Sequence, residues 1–438
     1  MKTLIKHAAV LTMNDRMETY PDGYVLVENQ VIREAGAGEC HESCDTVIDA
    51  KGGIVMPGMV NTHCHVSMVP FRSMGDDCPD RLRRFLFPLE LEAMTPELVY
   101  TGARYGICEM LLSGVTTFAD MYYFEDMVAK ACDELGIRGY LGETVIDQET
   151  CDSKSPYGGL AYGETFIKNW KGHRLVTPMI APHGTSTNSP EMLQKACELA
   201  AAHDVPWTMH VSEMDYEMAH FRENYQQTPV EFLHSQGLLD ERLIAAHCIH
   251  LTEQDMELIA ERGVKVSHCI GSNTKAGKGV APVKELLARR IPVGFGTDGP
   301  SSGNTLDLFT QFRLFASFQK TWNRDRSLFP AAEIVRIGTM GGAAVLGAEK
   351  TIGSIEVGKR ADLVILDPDK VQMFPSYNPY SLLVYSANPS IVDTVFVDGR
   401  ILVRHGALTC VDLGQVRAEL MENMQDFYKK ADAYRDMI

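Results

Sequence analysis

The chain has 438 residues, 45% apolar and 23% charged, with a formal net charge of −17. That globular composition excludes a disordered chain and suffices for one large α/β barrel or two to three smaller domains. The acidity disfavours nucleic acid and anionic membranes as partners, and no run approaches the roughly 18 apolar residues of a membrane span, so a soluble protein is expected.

Eleven cysteines lie singly between Cys40 and Cys410, with no C-x-x-C pair. Scattered thiols of odd number read as reduced, and point to the cytoplasm. The N-terminus, MKTLIKHAAVLTM, has a short apolar core, and Asn14-Asp15-Arg16 follows it without a small-residue cleavage site. It is expected to be a strand rather than a signal peptide. YVLVENQVI (24–32) places Glu28-Asn29 as a turn between apolar pairs, and VIDAKGGIVMPG ends in Pro57-Gly58 punctuation.

The middle of the chain alternates strand-like and helix-like pieces. Strand candidates are GIVMPGMV, GVTTFAD (114–120), RGYLGET (138–144), LVTPMIAPH (175–183), PWTMHVSE (206–213), LIAAHC (243–248), VKVSHC (264–269) and IPVGFGTD (291–298). Between them, SPEMLQKACELAAAH (189–203) and TEQDMELIAERG (252–263) read as helices. The second has Thr252 as N-cap, Asp255 in its first turn and Gly263 as its stop. This alternation means parallel βαβ units, and eight strands predict a (β/α)8 TIM-type barrel over 57–354. LFTQFRLFASF (308–318) reads as helix core first, although an interface there stays open.

The C-terminal stretch returns to short strands, in IGSIEVGKRADLVILD (352–367) and VDTVFVDGRILV (392–403). The second holds Asp398-Gly399 between β-rich runs, a hairpin signal. Two β-rich ends predict one small β-sandwich domain built from 1–56 and 355–438.

The polar residues of the middle sit at strand ends, where a barrel of this kind places its chemistry. His63 and His65 end the first strand, His183 the fourth, His210 the fifth, His247 the sixth and Asp298 the eighth. Positions i and i+2 of a strand face the same way, so His63 and His65 converge on one point. His-x-His alone is a weak signal. Followed by His-x-x-Glu and Gly-Thr-Asp in that order, it predicts one divalent ion held by His63, His65, His210 and Asp298. Zn²⁺ is the first expectation and Fe²⁺ the second, with a position left for water. Glu213, three residues after His210, is expected to act as a general acid/base. His247 is expected to polarise the water or the developing oxyanion. His250 and His268 read equally as supporting or structural residues. Cys64 and Cys248 read as core fillers, because a strand neighbour points away.

The segments PGMVNTHCH, GVTTFAD, HVSE, AAHC and GTDGPSSGNTLDLF resemble the amidohydrolase superfamily. Within it they resemble the branch of methylthioadenosine/S-adenosylhomocysteine deaminases and triazine-hydrolysing, atrazine chlorohydrolase-like enzymes. The resemblance spans nearly the whole chain, including IGSIEVGKRADLVILD. It assigns the metal to His63, His65, His210 and Asp298, the proton shuttle to Glu213, and a place near the attacking water to His247. Where binuclear relatives carry a carboxylated lysine, this chain has Ala181-Pro182-His183, so a single ion is implied. The implied reaction is hydrolytic deamination of an amino-substituted heterocycle.

For the substrate, the resemblance places Glu90 of FPLE on ribose hydroxyls, His183 against the substrate, and Glu143 where the family's arginines hold an amino-acid carboxylate. An acidic residue there would repel that carboxylate. An adenosine-type nucleoside (adenosine, 5'-deoxyadenosine or methylthioadenosine) is therefore expected ahead of S-adenosylhomocysteine. A pterin, an oxidised guanine or an s-triazine ring is the alternative. Arg81, Arg83 and Arg84 read equally as substrate contacts or as a solvated basic turn. A metal-free scaffold would need a missing ligand, and none is missing. A homo-oligomer stays open.

Overall fold

The computed structural model describes residues 1–437. Its centre is a closed parallel barrel of eight strands in sequential order: β1 (Met59–Cys64), β2 (Val115–Tyr122), β3 (Arg138–Val145), β4 (Val176–Pro182), β5 (Trp207–Val211), β6 (Leu243–His247), β7 (Lys265–His268) and β8 (Val293–Phe295). β8 closes onto β1 through Phe295 and Asn61. Every residue of β1, β2 and β6 is buried, as expected of parallel strands covered by helices on one face and by the barrel interior on the other. The helices begin and end where their caps dictate. Ser189 accepts from the Met192 N–H at the start of Pro190–His203. Thr252 and Asp255 cap each other at the start of Glu253–Arg262, which stops at Gly263 with φ 69°. In the helix Leu308–Asn323, Phe309, Phe312 and Phe315 are buried, while Phe318 and Trp322 are exposed.

The two ends of the chain share one further sheet. Its order is Ala407–Leu408, Arg400–Arg404, Val392–Val397, Leu363–Leu366, Ile54–Pro57, Lys2–Leu11, Thr19–Glu28, Val31–Ala37, with Thr46–Asp49 also pairing Lys2–Leu11. The Asp398-Gly399 turn joins its strands as a tight hairpin, with φ 51° and 76°, the left-handed pair that such a turn needs. Val10, Val25, Val55, Leu363 and Phe396 belong to a core of its own.

Two boundaries differ from expectation. The run GIVMPGMV is two strands, not one: Ile54–Pro57 belongs to the terminal sheet and Met59–Cys64 to the barrel. Gly58 separates them, and a Cβ there would lie 2.1 Å from Thr116 Oγ1, so only glycine lets the two segments meet β2. Further on, the helix Leu413–Ala431 falls in the part assigned to the small domain but packs on the barrel. Its stripe of Val416, Leu420, Met424 and Phe427 joins the barrel core, and Phe427 stacks edge-on against Phe71 at 4.9 Å. Arg104, on the barrel helix Pro96–Leu112, pairs with Glu419 of this helix and with Glu134. A buried stripe at helical spacing needs an apolar partner, and the outer face of the barrel supplies it.

Barrel and sheet are also tied electrostatically. Arg138, at the start of β3, reaches Asp362 at 3.2 Å and Asp398 at 3.8 Å. The Asp398 backbone N–H donates to Asp362 Oδ1 at 2.6 Å. Both carboxylates are buried.

Candidate active site

At the C-terminal rim of the barrel, His63, His65 and His210 present ring nitrogens within 4.8 Å of one another. His63 Nε2 and His210 Nε2 are 3.2 Å apart, and His65 Nε2 is 3.2 Å from Asp298 Oδ1. Backbone carbonyls fix two of these rings from behind. His65 Nδ1 donates to the Met121 carbonyl and His210 Nδ1 to the His183 carbonyl, each at 2.5 Å. With Nδ1 carrying the proton, His210 Nε2 turns a lone pair toward the common centre, and His65 Nε2 would do so once an ion replaced its proton to Asp298. Burial, with His65 next, pushes His63 well below its ordinary range; burial, with His183 next, does the same to His210. Burial raises the Asp298 carboxyl, but the His65 hydrogen bond and the charges of His65, His247 and His63 together outweigh it and hold Asp298 well below the usual carboxylate range.

Burial lowers the His65 ring, but its hydrogen bond to Asp298 and the charge of that carboxylate together raise it to about 9; the carboxylate draws positive charge to this centre, which is the part a divalent ion would play. Three nitrogens and one oxygen fit a divalent ion with a position left for water.

The backbone around this centre is strained. Ser212, His247, Cys248 and Asp298 all have positive φ, from 50° to 70°. Each costs about 1–3 kcal/mol and persists only where its surroundings impose it. Asp298 is held by its N–H to the His63 carbonyl at 3.0 Å and by its own Oδ1, which accepts from Gly299 N–H at 2.7 Å. Cys64 points away, as expected, and donates its thiol to Asp120 Oδ1 at 3.0 Å. The same oxygen accepts the Val66 N–H at 2.6 Å and so anchors the turn after β1.

Glu213 follows β5, and Glu217 sets its backbone by accepting the N–H groups of Ser212 and Glu213 at 3.0 and 2.8 Å. Glu213 Oε1 lies 3.6 Å from His247 Nε2 and 2.5 Å from Lys278 Nζ. Burial raises the Glu213 carboxyl, but the His247 ring and the Lys278 ammonium overcome this and bring it to about 2. His247 is oriented from behind by Asn273, whose Oδ1 meets Nδ1 at 2.8 Å.

These groups open into a cavity of about 520 Å³. Glu90 and His183 line it. Glu90 accepts from Tyr122 Oη at 2.8 Å, and burial lifts its carboxyl to about 7. His183 Nδ1 meets Thr187 Oγ1 at 3.0 Å, and its ring packs edge-on against Phe87 at 5.5 Å. Burial, then His65, lowers it to about 4.

Glu143 does not line the cavity, contrary to expectation. Thr144 does, and alternation along β3 turns its neighbour to the opposite face. Glu143 is fully buried there beside the helix Gly159–Trp170 and accepts the Glu125 N–H at 3.0 Å. Burial, then Asp152, pushes its carboxyl well up. Arg81 does line the cavity, but its guanidinium is spent on the Ser301 carbonyl and on Ser302 Oγ. Arg83 stacks over Tyr216 at 4.6 Å. His268 is a buried ring among Phe295 and Phe315, and His250 lies 3.6 Å from Asp215. Sequence reading passed over Asn273, Lys278 and Cys269. The last lies within reach of His63 and His247, and burial keeps its thiol protonated.

A parallel barrel carrying this histidine–aspartate centre defines a metal-dependent hydrolase of the amidohydrolase family. The Amidohydrolase family model matches residues 54–402, and the chain belongs to that family. Among individual proteins, it is 38% identical over 419 residues to a 5-methylthioadenosine/S-adenosylhomocysteine deaminase of Thermodesulfovibrio yellowstonii, covering 94% of this chain and 95% of that one. It is 39% identical over 397 residues to the protein of the same name in Aquifex aeolicus, covering 90% and 92%. A solved adenosine deaminase from Xanthomonas campestris with bound zinc superposes with a TM-score of 0.94 at 31% identity, covering 98% of both chains. The atrazine chlorohydrolase TrzN from Arthrobacter aurescens, at 24% identity and TM-score 0.87 over 96% of this chain and 100% of that one, shares the fold.

Proposed function

We propose that the chain is a hydrolytic deaminase of an adenosine-type nucleoside, using one zinc ion held by His63, His65, His210 and Asp298. The observation that carries the reading is the position of Glu213, a carboxylate three residues after His210 and 3.6 Å from His247, facing a cavity that Glu90 also lines. The names of its relatives support the same chemistry.

The metal, when bound, lowers the pKa of a coordinated water from 15.7 towards about 7. The chain's own groups do the rest. With Nδ1 held by Asn273, His247 keeps Nε2 free to accept a proton from the attacking water, and Asp298 accepts through its carboxylate. Glu213, ionised at rest, takes one proton of the attacking water and passes it to the ring nitrogen beside the amino-bearing carbon, which makes that carbon electrophilic. Attack makes the carbon tetrahedral, the water's second proton passes from His247 or Asp298 to the exocyclic amine, which leaves as ammonia, and a carbonyl remains. Glu90 holds the ribose hydroxyls, and neutral His183 donates or accepts at the heterocycle.

The basic groups lining the cavity are Arg81, Lys275 and Lys278. Each is already engaged: Arg81 with Ser301 and Ser302, Lys275 with Asp76, and Lys278 with Glu213. None is left to clamp an amino-acid carboxylate, which favours adenosine, 5'-deoxyadenosine or methylthioadenosine over S-adenosylhomocysteine. The eleven unpaired cysteines suit the cytoplasm, and no described helix is long and apolar enough to cross a membrane. An ammonia-release assay over these nucleosides, S-adenosylhomocysteine, a pterin, an oxidised guanine and an s-triazine tests the proposal. The neutral nucleosides should lead, and silence across the panel would remove it.

A further inference from the structure

We propose that Lys278 is a positioning residue for Glu213: its ammonium pins one carboxylate oxygen so that the other faces the reacting ring. This rests on Glu213 being the proton shuttle. Lys278 lies between Gly277 and Gly279, whose φ values are 65° and 126°. The second lies in a region that only glycine enters without strain. The lysine backbone N–H donates to the Asn273 carbonyl at 2.9 Å, and the Asn273 side chain orients His247. The short helix Ile270–Lys275 after β7 and the turn that ends it thus fix both His247 and Lys278.

The side chain of Lys278 is 20% exposed and lines the cavity. Its Nζ lies 2.5 Å from Glu213 Oε1, the same oxygen that faces His247 Nε2. Among the described residues, Oε2 of Glu213 has no partner and Nζ has no acceptor other than Oε1. The ammonium therefore holds one oxygen and leaves its twin for the ring nitrogen. A carboxylate on a two-carbon stem has several rotamers, and this contact selects one. In sequence, a lysine in a glycine-rich loop reads as solvated; here it is four-fifths covered and in register with a catalytic group.

The test compares the zinc-loaded parent with Lys278→Met, which keeps length and loses charge, and with Lys278→Arg. In the Met variant, metal content and melting temperature should match the parent. Its kcat should fall by about 10- to 100-fold with KM little changed, and Arg should restore part of the loss. In crystals of the zinc-loaded Met variant, the Glu213 carboxylate should turn away from its 3.6 Å approach to His247. An unmoved carboxylate, or a kcat within about twofold of the parent, overturns the proposal. If the parent itself releases no ammonia, the deaminase assignment fails, and the two crystal structures alone still decide the role of Lys278.

Discussion

His63 Nε2 and His210 Nε2 face each other across 3.2 Å, and burial disfavours a positive charge on either ring. His210 commits its Nδ1 proton to the His183 carbonyl, which leaves its Nε2 as an acceptor. A divalent ion would take both facing nitrogens as ligands. His63→Ala or Asp298→Ala should lose most of the bound metal, measured by elemental analysis after gentle purification. A chelator should lower the melting temperature of the parent and leave that of the variants nearly unchanged, because only the parent has binding energy to lose. Full occupancy in either variant would mean that the ligand set is wrong.

Glu213→Gln preserves the shape of the side chain and removes its capacity to carry a proton. Metal content should be retained, while turnover should drop by about 10²–10⁴-fold, the usual contribution of a general acid–base group. A near-normal rate would move the shuttle to another residue.

Glu90 links substrate choice to pH. Its carboxyl stands near 7 in the fold against an ordinary 4.5. Between those values the folded chain keeps a proton that the unfolded chain has released, so stability declines as pH rises from 4.5 to 7. The loss from this group is about 3 kcal/mol. Glu90→Gln cannot ionise, so relative to the parent it should be more stable at pH 8 than at pH 5 by up to about that amount. Denaturant melts at the two pH values check this; an equal difference at both would refute it. The same variant should lose activity on ribosylated substrates far more than on any free base.

Arg138 joins β3 to the terminal sheet at the rim opposite the catalytic one. Arg138→Met leaves buried Asp362 without its cation, while Asp398 keeps Arg174 and Arg360, and should cost about 3–5 kcal/mol. Adding Asp362→Asn should recover part of the loss. Metal content and KM of the surviving folded enzyme should match the parent, since nothing at the catalytic rim is touched.

The barrel was legible because parallel strands write themselves as short apolar runs between capped helices, and the site was legible because its histidines close those runs. His63, His65, His210 and Asp298 needed only strand alternation and barrel closure. Glu143 failed on the same alternation: one position along β3 separates a residue in the cavity from one behind the wall. The break at Gly58 carries no periodicity signal, since both halves of GIVMPGMV are strands; Pro57-Gly58 punctuation marks the place, and the packing against Thr116 makes it a break. Asn273 and Lys278 were missed for a related reason. Asn273 lies on the short polar helix Ile270–Lys275 and Lys278 in the turn after it, where side-chain direction depends on glycine backbone angles that composition does not reveal. The helix Leu413–Ala431 shows its apolar stripe in sequence, but not which surface that stripe will cover.

The strand Ile54–Pro57 pairs on one side with Lys2–Leu11 and on the other with Leu363–Leu366. Its second neighbour leaves the ribosome roughly 300 residues later, which at about 5–20 residues per second is about 15–60 s. Throughout that interval the nascent chain displays an unsatisfied apolar edge next to the first barrel strand. Such an edge invites pairing with another chain, so heterologous production should profit from slower translation or added chaperone.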